Sequence, residues 1–368
     1  MTQHRTASLV LIHAVALLAC LTSCIHPGKL SKLPDSVNVV QRKEPITLPH
    51  ATNKTMTIQY LGSGGLYLLH NNEGILIDPF FSNQKVGKLA ASVWWGKPKV
   101  KASEKMVAFG LKAIKDQTGE MTPQVKAIFT AHSHYDHLLD VPAVFDTLGK
   151  QPMVYVNQSG YNICNKVIEP QKMVVLENHM TTNETTRPPI ELIMSNGKVN
   201  VYPILADHNP HLKHIKAFDG DITQPVAKFD AYGKTAANTW LEGNTFSFVI
   251  DYLDRQNNIE LRLFIQSSSC NPMYGIPPPT LPKHAVDIAL LGVASYDASP
   301  EYPKVLLDSL KPSKVVWIHW EDFFRKYTKE PKTVRATDVP EFFRKKEVKA
   351  VDSIAYMPWP RAVFEVRY

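Results

Sequence analysis

Three histidines and one aspartate crowd into Ala131-His132-Ser133-His134-Tyr135-Asp136-His137. Neutral imidazole and carboxylate at this density suit a divalent ion, zinc first, with iron or manganese also compatible. The segment continues an apolar, β-branched run, Val125–Ala131, so the imidazoles leave the end of a buried strand and a sheet fixes their direction. Residues 132 and 134 alternate and can project to one side to share an ion, while 136 and 137, after a turn, can face a second. Four residues cannot close two sites. Ala206-Asp207-His208-Asn209-Pro210-His211 follows another strand run, Lys198–Ala206, and Trp317-Ile318-His319-Trp320 a third. An ion held by three neutral imidazoles keeps most of its charge and an open position, which brings the pKa of bound water towards about 7. That is the chemistry of hydrolysis at a carbonyl or phosphoryl centre.

Such loops need a sheet-rich body to aim them. Met56–Leu61, Gly65–His70 and Gly74–Asp78, separated by Gly and Asn turns, read as an antiparallel meander. Residues 101–116 and Leu138–Leu148 read as helices flanking the strand Val125–Ala131, with Met153–Asn157 as the next strand. Further strands are expected at Lys198–Ala206, Thr245–Leu253, Ile259–Ser267, Val286–Leu291 and Val315–Ile318, and helices at Tyr302–Leu310, Glu321–Arg325 and Val339–Lys346. Antiparallel strands with interspersed helices predict an α/β sandwich with helices outside the sheets, rather than a βαβ repeat. His132, His208 and His319 must converge, which ties residues 56–368 into one large domain. No Gly-rich loop of the GxGxxG or GxxxxGK[ST] kind is present, which removes support for those nucleotide sites.

The chain has 368 residues, 44 % of them hydrophobic and 20 % charged, the balance of a globular protein. A net charge of +7, not gathered into Arg-rich runs, gives no indication of a nucleic-acid partner. Arg5 followed by the apolar run Ala7–Leu21 is the pattern of an export signal, too short for a membrane span. Leu21-Thr22-Ser23-Cys24 resembles the lipobox of bacterial lipoproteins. The resemblance implies a signal peptide over 1–23 and a fatty-acylated Cys24, palmitate-type chains included, anchored in the cell envelope. With Ile25 after the Cys, a Gram-negative cell would place it on the periplasmic face of the outer membrane. Pro27, Pro34, Pro45 and Pro49 make 24–55 read as a tether. Cys164 and Cys270 then remain, as a disulfide or as two thiols.

Together, Tyr60-Leu61-Gly62, Ile75-Leu76-Ile77-Asp78-Pro79-Phe80, the HxHxDH segment and the two later histidines resemble the metallo-β-lactamase superfamily over most of the chain after the signal. The resemblance implies a four-layer αββα sandwich with a metal site along one sheet edge. It implies that His132, His134 and His208 hold one ion and that Asp136, His137 and His319 hold a second, with Asp78 orienting the ligand loop. Asp136 would also orient the attacking water or take its proton. His208 is preferred over His211 and His214 because it directly follows the strand run; His211 is then expected to touch substrate or donate a proton. One segment departs from the family pattern. In Ile265-Gln266-Ser267-Ser268-Ser269-Cys270, Ser268 stands where a bridging carboxylate is expected, so the second ion should bind more weakly or not at all. Cys270 faces the same side as Ser268 if the backbone stays extended, which makes it a candidate replacement ligand; the alternative reading is a small buried cysteine of the core.

Substrate class is narrowed by one insert. Between Asp78 and Glu104 there are Lys85, Lys88, Lys97, Lys99 and Lys101 and no acid, interleaved with Phe80, Phe81, Trp94 and Trp95. Overhanging the metal edge or lying on a membrane, it would suit an anionic, partly apolar substrate, with Trp94 and Trp95 as contacts. The Tyr-Leu-Gly opening and the His-Trp-Glu-Asp-Phe-Phe run resemble the branch of the superfamily containing N-acyl-phosphatidylethanolamine phospholipase D and ascorbate-phosphate lactonase. A metal-dependent hydrolase acting on a phosphodiester or phospholipid is the leading expectation. The alternatives are a lactone, amide or β-lactam hydrolase, and a non-catalytic binding lipoprotein.

Overall fold

The computed structural model describes residues 27–368 except 96, 98, 119–123, 212–215, 228–229 and 231–232. The expected signal, Cys24 and His214 lie outside the described residues. In chain order the strands are β1 (Val39–Val40), β2 (Lys43–Thr47), β3 (Thr55–Gly62), β4 (Gly65–His70), β5 (Glu73–Ile77), β6 (Val125–Phe129), β7 (Met153–Val156) and β8 (Met173–Val175). There follow β9 (Ile190–Met194), β10 (Gly197–Ala206), β11 (Thr245–Leu253), β12 (Ile259–Gln266), β13 (Ile288–Gly292), β14 (Lys314–Ile318), β15 (Ala355–Pro358) and β16 (Val363–Arg367). They form two eight-stranded sheets, in the orders β2-β16-β3-β4-β5-β6-β7-β8 and β1-β15-β14-β13-β12-β11-β10-β9. Each sheet is antiparallel in its hairpins and parallel where the chain crosses over, as between β5, β6 and β7 and between β12, β13 and β14.

Alternation along the strands decides the layering. Ile75 and Ile77 of β5 and Leu263 and Ile265 of β12 face the core between the sheets, together with Ile58, Phe129 and Phe248. Leu76 and Ile128 turn outwards onto Val107 and Ile114 of the helix Glu104–Thr118 and onto Val144 and Phe145 of the helix Val141–Thr147. On the other side, Phe264, Leu291 and Val315 meet Leu306 and Leu310 of the helix Lys304–Leu310, and Phe342. Strands buried on both faces need apolar residues at both parities, which is why β13 reads as a continuous hydrophobic run; β11 is buried along its whole length too, with Ser247 and Asp251 among its residues. The result is an α/β, four-layer αββα sandwich, as the sequence leads one to expect.

Two expectations need correction. The stretch 24–55 is not a tether throughout, because β1 pairs with β15 and β2 pairs with β16, burying Val40 and Ile46. Pro45 is tolerated there because β2 is an edge strand, where a missing N–H costs no ladder bond. Residues 321–325 do not form a helix. Glu321 bridges Thr333, and its carboxylate is occupied by the β3–β4 turn instead of serving a helix start.

Candidate metal centre

Every residue of the centre sits just past the C-terminal end of a strand, along one edge of the sandwich. Asp78 follows β5, His132–His137 follow β6, His208 follows β10, Ser267–Cys270 follow β12 and His319 follows β14. The parallel strands β5 and β6 run side by side, so Asp78 reaches the loop after β6: its Oδ1 accepts the Ala131 N–H at 2.8 Å. Two positions are in the left-handed backbone region, Asp78 at φ 45° and His319 at φ 51°. Aspartate tolerates this comparatively well; a histidine there marks backbone strain at the site.

Six buried side chains form two adjoining groups of donors. Ligand atoms of His132, His134 and His208 all lie within 4.8 Å of one another, and so do those of Asp136, His137 and His319. In the first group, His132 Nε2 is 2.8 Å from His134 Nδ1. The second group is built around Asp136 Oδ2, 3.7 Å from His137 Nε2 and 3.5 Å from His319 Nε2. The rings of His132 and His137, 4.1 Å apart, join the two.

Hydrogen bonds set which nitrogen is left for an ion. His208 donates from Nδ1 to the Asn209 carbonyl at 2.6 Å, leaving Nε2 with its lone pair. His137 Nδ1 lies 3.0 Å from Asp78 Oδ2, so Nε2 faces Asp136. His134 Nε2 is 3.3 Å from the Phe218 carbonyl, which assigns the lone pair to Nδ1, beside His132. Burial, reinforced by the neighbouring imidazoles, pushes the pKa values of His132 and His208 well below the ordinary range, and that of His134 falls likewise. All three are therefore neutral. Burial also disfavours charge on His137, but Asp78 and Asp136 outweigh it and raise its pKa. Burial would raise Asp136 too, yet His137 and His319 hold its carboxyl far below the usual carboxylate range. Asp136 is thus a permanent anion, which suits a ligand better than a proton carrier.

This donor set fits a divalent ion in each group. Five imidazoles and one carboxylate are the ligand types of zinc, and the second nitrogens of His137 and His208 have the outward partners that fix a ligating tautomer. Inside the centre, His137 Nε2 is buried with no hydrogen-bond partner in the protein, as are the hydroxyls of Ser267 and Ser268. Buried polar atoms left unpaired are costly unless something else satisfies them.

Some expected residues are placed elsewhere. Cys270 belongs to neither donor group. Its sulfur takes a hydrogen bond from Gln266 at 3.2 Å and lies 3.4 Å from the carbonyls of Asn271 and Tyr274, and burial pushes the thiol up to about 12. The chain bends at Ser267 and Ser268 instead of staying extended, so the alternation from Ser268 to Cys270 is broken. Ser267 approaches the centre closely: a Cβ on Gly64 would meet Ser267 Cβ at 2.9 Å and His137 Cε1 at 3.5 Å, so only glycine, at φ +77°, fits that turn. Cys164 and Cys270 are both free and buried. His211 does reach the site, its ring stacked 4.7 Å from His208 and 5.3 Å from His134. It accepts the Ala217 N–H on Nδ1, and burial lowers it to about 4. Trp95 is 75 % exposed at the end of the helix Val86–Trp95, and the Trp94 side chain lies outside the described residues.

Three acids support the centre from outside the two donor groups. Glu321 accepts the Tyr60 hydroxyl at 2.5 Å and the Ser63 N–H at 2.6 Å, and Tyr60 in turn accepts the His319 N–H at 2.8 Å. This chain ties the β3–β4 turn to His319, whose backbone is in the left-handed region. Asp140 accepts the N–H groups of Phe81 and Ser82 at 2.6 and 2.8 Å, and burial raises it to about 6. Glu242 is pushed up to about 7 by burial despite Lys216 at 3.1 Å, and lies 4.0 Å from His134 Nε2.

No protein-family model matches the chain, and no curated protein matches it. Among solved structures it is similar to Igni18, a metallo hydrolase from the archaeon Ignicoccus hospitalis, at 13 % identity and TM-score 0.45, covering 86 % of this chain and 100 % of that one. The isothiocyanate hydrolase from Delia radicum gut bacteria is similar at 13 % identity and TM-score 0.45, over 84 % and 98 % of the two chains. A Zn-dependent hydrolase of the metallo-β-lactamase superfamily from Thermotoga maritima follows at 11 % identity and TM-score 0.33, over 82 % and 98 %.

Proposed function

We propose that the chain is a metal-dependent hydrolase of the metallo-β-lactamase superfamily, held in the cell envelope by a lipidated Cys24, with a phosphodiester or phospholipid as its substrate class. The observation that carries the hydrolase reading is the pair of adjoining donor groups, His132–His134–His208 and Asp136–His137–His319, all six buried yet placed at a sheet edge. A zinc, iron or manganese ion held there supplies Lewis acidity, which activates water and polarises the attacked oxygen. The protein's part is to keep three imidazoles neutral and Asp136 ionised, to hold His137 against Asp78, and to brace His319 through Tyr60 and Glu321. His211, stacked beside His208 with Nδ1 engaged, is the residue we assign to contact substrate through Nε2. The acid-free insert after Asp78 supports the anionic substrate class.

Metal analysis of protein purified without chelator or added metal tests the reading. About two or one equivalents support it, and none points to the non-catalytic binding lipoprotein. A substrate panel on the metal-loaded protein should then favour phosphodiesters over lactones, amides and β-lactams. Turnover of the best substrate retained by His134→Ala would sink the assignment of the centre.

A further inference from the structure

We infer that the surface carrying Trp95 docks on an anionic phospholipid bilayer and brings the metal-bearing edge against it. Two segments distant in sequence build this surface. The first runs from Asp78 to Glu104, contains no acid, and exposes Lys85, Lys97, Lys99 and Lys101. The second, between Asp322 and Glu330, also lacks acids and exposes Lys326 and Lys329. Asn83 joins them, donating to the Phe323 carbonyl at 2.9 Å and accepting the Tyr327 N–H at 2.7 Å, with Phe81 and Tyr327 packed edge to face at 5.6 Å.

None of these six lysines has an ion-pair partner among the described residues, and no acid lies within either segment to neutralise them. An unneutralised cationic shelf seeks an anionic partner. The indole selects which one. A soluble polyanion gains little from a tryptophan standing 75 % exposed, but a bilayer interface takes up an indole that has one apolar body and one polar tip. Burial and the nearby Lys101 lower the pKa of Lys88, a sign of the like charge gathered here. Phe323 of the second segment packs 5.2 Å from the His319 ring, so a bilayer on this surface lies beside the second donor group. The inference rests on the lysines and Trp95 and not on the hydrolase reading, so vesicle binding and turnover can fail separately.

The test uses the full chain carrying Cys24→Ala, which removes any acyl anchor while leaving residues 1–23 identical in every variant. It is floated with vesicles of phosphatidylcholine alone or with one third phosphatidylglycerol. Partition should favour the anionic vesicles and fall with added salt. Trp95→Ala and the pair Lys97→Gln with Lys99→Gln should each weaken it about tenfold, whereas Lys43→Gln on the far sheet edge should not. Partition that ignores salt and both variants overturns the proposal. So does a lysine-pair defect that Trp95→Ala does not share and that a heparin column reproduces, which would identify a soluble polyanion.

Discussion

The two ends of the sandwich treat buried charge in opposite ways. Away from the histidines, Arg262 and Asp251 face each other across β12 and β11 and meet in a bidentate pair at 2.6 and 2.7 Å. The remaining guanidinium donors reach the carbonyls of Pro282 and His284, and Asp287 accepts the Arg262 N–H. No side-chain atom of this cluster is left unpaired. At the other end, His132, His137, Glu242, Ser267, Ser268 and His319 each keep a buried polar atom without a hydrogen-bond partner. Both clusters are polar and enclosed, so burial alone does not separate them. Completeness does: the paired end closes on itself, and the open end has polar atoms that the protein alone does not satisfy and a divalent ion would.

Variants that break one end and spare the other sharpen this contrast. His134→Ala should strip metal from the first group and lower kcat/KM about 10³-fold or more, with little change in the chelated protein's thermal unfolding; an undiminished metal content would erase the distinction. Asp251→Ala should do the reverse, costing about 3–5 kcal/mol of stability in denaturant titrations by stranding Arg262, while the metal content of the folded fraction is unchanged. Asp78→Asn is intermediate. It keeps a side chain beside His137 but loses the charge that fixes its tautomer, so metal affinity should drop about 10–100-fold in a competitive chelator titration.

An effect of similar size, read in stability instead of metal affinity, concerns Asp140. Its folded pKa of about 6 lies above the unfolded value, so the native state binds the proton more tightly. Stability from this group is present below about pH 4 and is lost as pH rises through about 6. Asp140→Asn should therefore gain on the wild type between pH 4 and pH 8, by about 2–3 kcal/mol. Parallel stability–pH curves for the two proteins would show that the carboxyl is solvated.

What could be read in advance follows the range of the interactions. The HxHxDH ligands sit on one loop after one strand, so spacing alone displays them, and β4 and β11 match their expected bounds, Gly65–His70 and Thr245–Leu253, because alternation and turn residues are local. Glu321 was legible only as a helix start, since its partners Tyr60 and Ser63 lie some 260 residues away. Asp140 and Glu242 are silent for the same reason. The strands β1 and β2 hid in a Pro-bearing segment, because an edge strand needs little propensity once a partner exists. For Cys270 the ligand reading extends a strand's alternation past a bend, while the reading as a buried core cysteine matches its place in the structure.

The position of β16 has its own consequence. It lies between β2 and β3, pairing residues 43–47 and 55–59 with residues 363–367. Until that late segment arrives, the first sheet is split at its seam, with β3 presenting an unpaired ladder. Contacts spanning some 300 residues carry a large loop-closure cost and slow folding. A chain emerging vectorially therefore spends most of its length with that seam open, and the seam is where a chaperone would have most to protect.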